Sequence, residues 1–183
     1  LAFKWDAMWC LETFFKSFDP ATVEPVGVEM DLSCTLGDVP FVGYADLVTH
    51  DVLDYKTGEA PEKGKRWSRE REKEKLEQPL LYAAALREKG VRVQEAHLLF
   101  LSPHGRSGWL SAEATDEALD GAVERLQATW RLTRRDLARG HAEAHTGPLC
   151  GWCDFLAVCP DGQREVRVRI RMGKNVGPGA DIV

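Results

Sequence analysis

Two short apolar runs, Gly43-Tyr44-Ala45-Asp46-Leu47-Val48 and Val52-Leu53-Asp54-Tyr55-Lys56-Thr57-Gly58, are separated only by Thr49-His50-Asp51. Runs of this kind, ended by turn-forming residues, read as strands. So short a link makes them a hairpin, with Val48 opposite Val52. Asp46 then lies across from Asp54, with Cβ atoms about 4.5–5.5 Å apart on one face. Asp54 and Lys56, two apart on a strand, share that face. Two carboxylates so placed repel one another, and a divalent cation between them removes the cost. The pattern therefore points to a metal-dependent active site. A one-residue shift of register would turn Asp46 to the other face and leave a solvated acidic hairpin with Lys56 as its counter-ion.

The rest of the chain supplies a frame for this hairpin. Phe3 to Phe18 carries Trp5, Met8, Trp9, Phe14 and Phe15 at helical spacing and stops before Asp19-Pro20. Val26 to Leu36 alternates, with Val26, Val28, Met30, Leu32 and Cys34 on one face, which predicts a strand turned at Gly37-Asp38. Val39 to Val48 and Val52 to Lys56 are the next two strands. Glu62 to Glu77 is a loop that becomes helical, and Pro79 to Lys89 is a helix ended by Gly90. Ala96 to Leu101 is a strand. Thr115 to Arg139 is a long amphipathic helix with a stripe at Leu119, Val123, Leu126 and Trp130, ended by Gly140. The order predicts an α/β fold with one central mixed sheet flanked by helices, followed by a cysteine-rich segment.

At 183 residues the chain is long enough for one domain with a real core. Apolar residues make up 44% and charged ones 29%, a soluble globular balance. No apolar run approaches the roughly 20 residues of a membrane span, and no signal peptide opens the sequence. Leu1 is not an initiator Met, so a fragment lacking upstream residues is expected. A net charge of −5 argues against a wholly basic nucleic-acid coat but allows a local basic track. Five cysteines, three of them clustered, indicate metal ligation in a reducing, cytoplasmic setting rather than a disulfide scaffold.

Gln78 and Tyr82, four apart, face the same way on a helix. Pro79 suits a first helical position and would make Gln78 the N-cap. The pair is either a polar cap with a half-buried Tyr or a set of contacts above the carboxylates. Cys150-Gly151-Trp152-Cys153 followed by Cys159-Pro160 places three thiolates in a short segment, which favours zinc or an iron–sulfur cluster. A closed site wants four ligands. Cys34 reads as a buried small hydrophobe and Cys10 as structural, though Cys10 is the one local substitute. The fourth ligand otherwise lies upstream of Leu1. Lys63, Lys65, Arg66, Arg69, Arg71, Lys73 and Lys75, with Trp67, form either a solvated helix face or a nucleic-acid-contacting segment. Arg131, Arg134, Arg135 and Arg139 suit either DNA or the negative end of their helix. His50, His97, His104, His141 and His145 show no metal-ligand spacing and read as structural or exposed.

Gly43-Tyr44-Ala45-Asp46, Asp54-Tyr55-Lys56-Thr57-Gly58, Gln78-Pro79-Leu80-Leu81-Tyr82 and the Cys150/Cys153/Cys159-Pro160 end, in that order, resemble the RecB-like branch of the PD-(D/E)xK nucleases. That branch includes CRISPR-associated exonucleases and the nuclease domains of recombination helicase–nucleases. The likeness runs from about Val26 to Pro160. It implies a restriction-endonuclease-like core over residues 1–160, with 161–183 a tail of unknown role. It implies that Asp46, Asp54 and the Tyr55 carbonyl bind Mg²⁺ or Mn²⁺, and that Lys56 acts as a base or as a fixed cation. Gln78 and Tyr82 match a Gln-x-x-x-Tyr helix motif, and the three cysteines match a [4Fe–4S] site. DNA is the implied substrate, and a helicase or a CRISPR adaptation protein the implied partner, with no membrane association. An upstream Cys-Pro segment and an early His, usual in the branch, are not seen before Val26. Arg167, Arg169 and Arg171 in the tail alternate as on an edge strand or a disordered basic segment.

The expected function is a metal-dependent DNA exonuclease in repair, recombination or CRISPR adaptation. The alternative is a non-catalytic DNA-binding or scaffolding module held by a cysteine-bound metal. A third reading, a zinc-ribbon-like protein, leaves Gln78, Tyr82 and the aspartate pair unexplained.

Overall fold

A computed structural model describes residues 2–62, 66–140 and 143–181. The chain divides into two compact units, Leu1–Arg131 and Leu132–Val183. In the first, helix α1 (Ala2–Ser17) precedes β1 (Gly27–Asp31), β2 (Cys34–Leu36), β3 (Val39–Phe41), β4 (Tyr44–Val48) and β5 (Val52–Lys56). Helix α2 (Arg66–Glu88), β6 (Glu95–Phe100), β7 (Gly108–Glu113) and α3 (Asp116–Arg139) follow. The main sheet has five strands in the order β1-β4-β5-β6-β7, and β2 and β3 form a separate two-stranded ribbon. Strands β5 and β6 run parallel, and the other pairings in the main sheet are antiparallel. This is the predicted α/β architecture with a mixed sheet flanked by helices. Among the described residues no helix is long and apolar enough to cross a membrane.

The sheet's two faces are distinct. Val48, Val52 and Ala96 share a buried core with Leu80, Ala83, Ala84 and Leu86 of α2 and with Leu119 and Ala122 of α3. On the other face, Phe14 of α1 stacks edge-on against Tyr55, and Phe18 packs on Trp109. The rest of α1 departs from its apolar spacing: Trp5, Met8, Trp9 and Phe15 are exposed. The helix pair is held by Arg87 on Asp116 and Asp120 and by Arg125 on Glu77. Thr115 caps α3 by accepting from the Ala118 N–H, and Gly140 closes it at φ 63°.

The first unit differs from the prediction at three places. The strands read over Val26–Leu36 and Val39–Val48 are each broken in two. Asp31 accepts from the Ser33 N–H at 2.7 Å, a local turn that competes with the ladder and sends residues 34–41 into their own ribbon. Val26 and Val28 are exposed because β1 is an edge strand. Second, Pro79 does not begin a helix: α2 starts at Arg66 and carries Pro79 inside it, so Gln78 is not an N-cap. Proline removes one helical hydrogen bond at a cost of about 3 kcal/mol. The Ala- and Leu-rich core contacts on one side and the strongly helix-forming Glu/Lys/Arg run on the other outweigh that cost. Third, β7 was not anticipated, although Trp109-Leu110-Ser111-Ala112-Glu113 alternates between half-buried and exposed.

The second unit contains short 3₁₀ turns at Pro148–Trp152, Leu156–Val158 and Gly177–Asp181, and helix α4 (Pro160–Arg171). Leu156, Val166 and Val176 form its core, with Cys150 packed against it. A Cβ on Gly151 would lie 1.9 Å from the Val176 carbonyl, so only glycine fits between Cys150 and Trp152. Arg167, Arg169 and Arg171 lie on α4, not on a strand or in a disordered tail. The alternating Val-Arg pattern is overridden by the Cys159 cap, Pro160 at the first turn, burial of Val166 and an Arg169–Glu165 pair one turn apart at 2.7 Å.

Candidate active site

The predicted register holds: Val48 pairs with Val52 and Leu47 with Leu53. Beyond that pair β4 and β5 separate, and Asp46 takes no ladder position opposite Asp54. Its Oδ2 instead accepts the Tyr55 N–H at 2.7 Å. Asp46 thus spans the opening between the strands and stays close enough for its charge to act on Asp54.

Asp54 is 4% exposed. Its Oδ2 lies 2.5 Å from Nζ of Lys56, which pairs with it. Gln78 Nε2 approaches Oδ1 at 3.4 Å. Burial pushes the Asp54 carboxyl above its ordinary range, Lys56 pulls it back, and the Asp46 charge adds to the upward push. Burial likewise raises the Tyr55 phenol, with Asp46 contributing.

Helix α2 supplies the roof of the cluster. Gln78 bridges it, accepting from Lys56 Nζ at 3.1 Å through Oε1 and donating from Nε2 to the Tyr82 hydroxyl at 2.5 Å. The Gln78–Tyr82 spacing therefore does place both side chains over the carboxylates. Phe41 packs on the Tyr82 ring, and a Cβ on Gly43 would come within 3.0 Å of Tyr82 and 3.1 Å of Phe41. The glycine before Tyr44 admits the tyrosine to the site.

The arrangement fits a hard divalent cation. The two carboxylates carry more negative charge than the one Lys56 ammonium offsets, and oxygen ligands of this kind suit Mg²⁺ or Mn²⁺.

Cys150, Cys153 and Cys159 border one cavity of about 190 Å³, together with His145 and Thr146. Cys150 Sγ accepts the Gly147 N–H at 3.2 Å and Cys159 Sγ the Gly162 N–H at 3.3 Å. Among the described residues the three sulfurs do not all fall within 4.8 Å of one another. Cys34 packs against the core and burial raises its thiol. Cys10 donates to the Leu101 carbonyl at 2.9 Å. Both are engaged as the sequence suggests.

The basic segment is helical from Arg66. Lys63 and Lys65 lie outside the described residues, as do the side chains of Arg66 and Trp67 and the whole of His141. Lys75 sits over the Phe100 ring at 5.2 Å, and Arg135 pairs with Asp136. Reading the histidines as unconnected missed one grouping: His97 converges with Asp51 and Glu95. Glu95 and His97, two apart on a strand, share a face, but Asp51 joins them only through the parallel pairing of β5 with β6.

The mixed sheet thus carries an acidic pair and a lysine at the open end of a hairpin, with helix α2 over them. The chain belongs to the PD-(D/E)XK nuclease superfamily, whose family model matches residues 5–160, so its class is that of the phosphodiester-hydrolysing nucleases. Comparison with curated proteins and with solved structures found no match.

Proposed function

We propose that the chain is a Mg²⁺- or Mn²⁺-dependent DNA nuclease of the RecB-like type, acting as an exonuclease. The observation that carries this reading is the cluster of Asp46, Asp54, Lys56, Gln78 and Tyr82, with the buried Asp54 carboxylate at its centre.

Asp46 and Asp54 would hold the cation. One oxygen of Asp46 is committed to the Tyr55 N–H, leaving the other free. In an extended strand a residue's N–H and C=O point to the same edge. The Tyr55 carbonyl therefore points towards Asp46, past the end of the β4–β5 ladder, and completes a hard oxygen set. A divalent ion bound there lowers the pKa of water and polarises the phosphoryl oxygen. Lys56 lies between Asp54 and Gln78 and is placed to orient the attacking water or to stabilise charge on the phosphate. Gln78 fixes the Lys56 ammonium, and Tyr82 fixes Gln78. Roles of this kind are mainly positional and electrostatic.

The nuclease domain on this reading covers residues 1–160 and works in the reducing cytoplasm, in repair, recombination or CRISPR adaptation beside a helicase or adaptation protein. The cysteine cavity would hold a [4Fe–4S] cluster through Cys150, Cys153 and Cys159, and the amide–sulfur bonds are of the kind that tune such clusters. His145 borders the cavity and offers a further donor. The test is cleavage of end-labelled single- and double-stranded DNA with Mg²⁺ or Mn²⁺, comparing the wild type with Asp54→Asn. Metal-dependent shortening from an end, lost in the variant, supports the reading. Absence of cleavage of either substrate with either ion refutes it.

A further inference from the structure

We infer that Asp51, Glu95 and His97 form a second metal site, of the zinc type, on the sheet face opposite the nuclease cluster. Leu53 and His97 are partners in the β5–β6 register, and Asp54 pairs with Leu98. Successive strand residues point to opposite faces, so His97 lies on the α1 side with Tyr55 and Trp109, away from Asp54.

Two carboxylates converge on the same ring nitrogen at the spacing of ligands round one ion. Nε2 of His97 is 3.4 Å from Asp51 Oδ2 and 3.4 Å from Glu95 Oε2. Both exceed ordinary N–H···O distances of about 2.7–3.2 Å. A tetrahedral zinc with ligands at about 2.0–2.2 Å places its ligand atoms roughly 3.3–3.6 Å apart. The three donor atoms all lie within 4.8 Å of one another. Imidazole nitrogen among the donors favours zinc over Mg²⁺, which takes oxygen.

The donors are also held in place. The other ring nitrogen, Nδ1, is 2.7 Å from Ser111 Oγ, the outer hydrogen bond that ligating histidines ordinarily make. Asp51 Oδ1 accepts the Glu95 N–H at 2.9 Å, which turns Oδ2 towards the imidazole. The Thr49–Asp51 turn is closed by Thr49 N–H to the Asp51 carbonyl at 2.8 Å and by Gln94 N–H to the His50 carbonyl at 2.8 Å. The His97 side chain is 12% exposed. Asp51 and His97 border a cavity of about 620 Å³ with His50 and Trp109. Nε2 of the exposed His50 lies 3.1 Å from Asp51 Oδ2, and water would fill the fourth position. A bound ion would fasten the β4–β5 turn to the start of β6, next to the strand that carries Asp54 and Lys56.

The test is calorimetric titration of the metal-free full chain with Zn²⁺, together with its thermal unfolding with and without Zn²⁺. Wild type, His97→Gln, Glu95→Gln, Ser111→Ala and a Cys150→Ser/Cys153→Ser/Cys159→Ser variant are compared, the last separating zinc held by thiolates. One zinc per chain should be retained in the cysteine variant and lost in His97→Gln. Glu95→Gln should weaken it at least about 10-fold and Ser111→Ala about 10- to 100-fold. Millimolar Mg²⁺ should not displace it. If His97→Gln does not fold, Glu95→Gln decides, because that carboxylate is 48% exposed. Unchanged zinc affinity in Glu95→Gln, or absence of zinc binding by the cysteine variant, overturns the inference.

Discussion

Replacing Asp54 by Asn should abolish metal-dependent cleavage and at the same time make the metal-free protein more stable. Asp54 is 4% exposed, and burial and the Asp46 charge disfavour its ionised form. Burying a polar group costs about 1–3 kcal/mol on mutational data. Against this stands the pair with Lys56, whose side chain is 35% exposed and whose contribution is discounted by solvent to about 0–1 kcal/mol. The net gain on removing the charge is about 1 kcal/mol, or roughly 2–4 °C in Tm for a chain of this size. The effect of Mg²⁺ should reverse the order. At ten times its dissociation constant Mg²⁺ stabilises the wild type by about 1.4 kcal/mol, roughly 3–6 °C, and leaves Asp54→Asn unmoved. The pH dependence has a fixed sign. Burial holds the native Asp54 carboxyl above its unfolded value, so in that window the native state binds more protons. The wild type without metal therefore loses stability as pH rises from the carboxylate range through the raised value, and Asp54→Asn lacks this dependence. Thermal unfolding in chelator and in Mg²⁺, across that range, measures all three. A variant less stable than the wild type in chelator, or equally stabilised by Mg²⁺, would refute the reasoning.

Lys56→Ala should lose most of its cleavage rate while keeping Mn²⁺ affinity near normal, since a charged ammonium has no lone pair for a metal; calorimetry showing a collapse of binding would make Lys56 structural instead. Gly43→Ala should press on Tyr82 and Phe41, loosen the Tyr82–Gln78 bond, and cost about 1–3 kcal/mol of stability with a rate loss near 10-fold; wild-type rate and Tm would remove Tyr82 positioning from the account. Protein made anaerobically with iron supplied should be brown and contain iron at the three-cysteine cavity, and stoichiometric zinc without iron that is lost on replacing the cysteines would reject the cluster while leaving the nuclease reading intact.

Much of the site was legible because it depends on local spacing. A three-residue link dictates the Val48–Val52 register, and that register brings Asp46 near Asp54 whatever the rest of the fold does. The i,i+4 relation of Gln78 to Tyr82 survives although Pro79 lies inside the helix, because helical phase does not depend on where the helix begins. What local pattern could not supply was competition between elements. Nothing near Asp31 shows that its side chain, bonded to Ser33, ends one strand and starts a separate ribbon. Nor does the Val-Arg alternation of residues 166–171 show that Val166 is wanted by a core containing Leu156 and Val176. The Asp51/Glu95/His97 grouping was hidden for the same reason, since 44 residues separate the Asp51–Glu95 contact.

The Asp46 contact with Tyr55 links fold to chemistry most directly. Two facing carboxylates would be driven apart in a regular ladder, and the strands do part just where that pairing would fall. The parting frees the Tyr55 N–H, Asp46 takes it, and the repulsion becomes a fixed opening lined with oxygen. Asp54 stays behind in the core, held by β5–β6 pairing on its other side, where it cannot relax towards water. Parallel pairing therefore fixes one carboxylate, the broken antiparallel pairing positions the other, and helix α2 sets Gln78 above them, where it accepts from Lys56 of β5. On the proposed function, a cation entering this opening would meet ligands whose ordering cost was met by folding. This is the condition under which binding energy is available for the reaction step rather than for assembling the site.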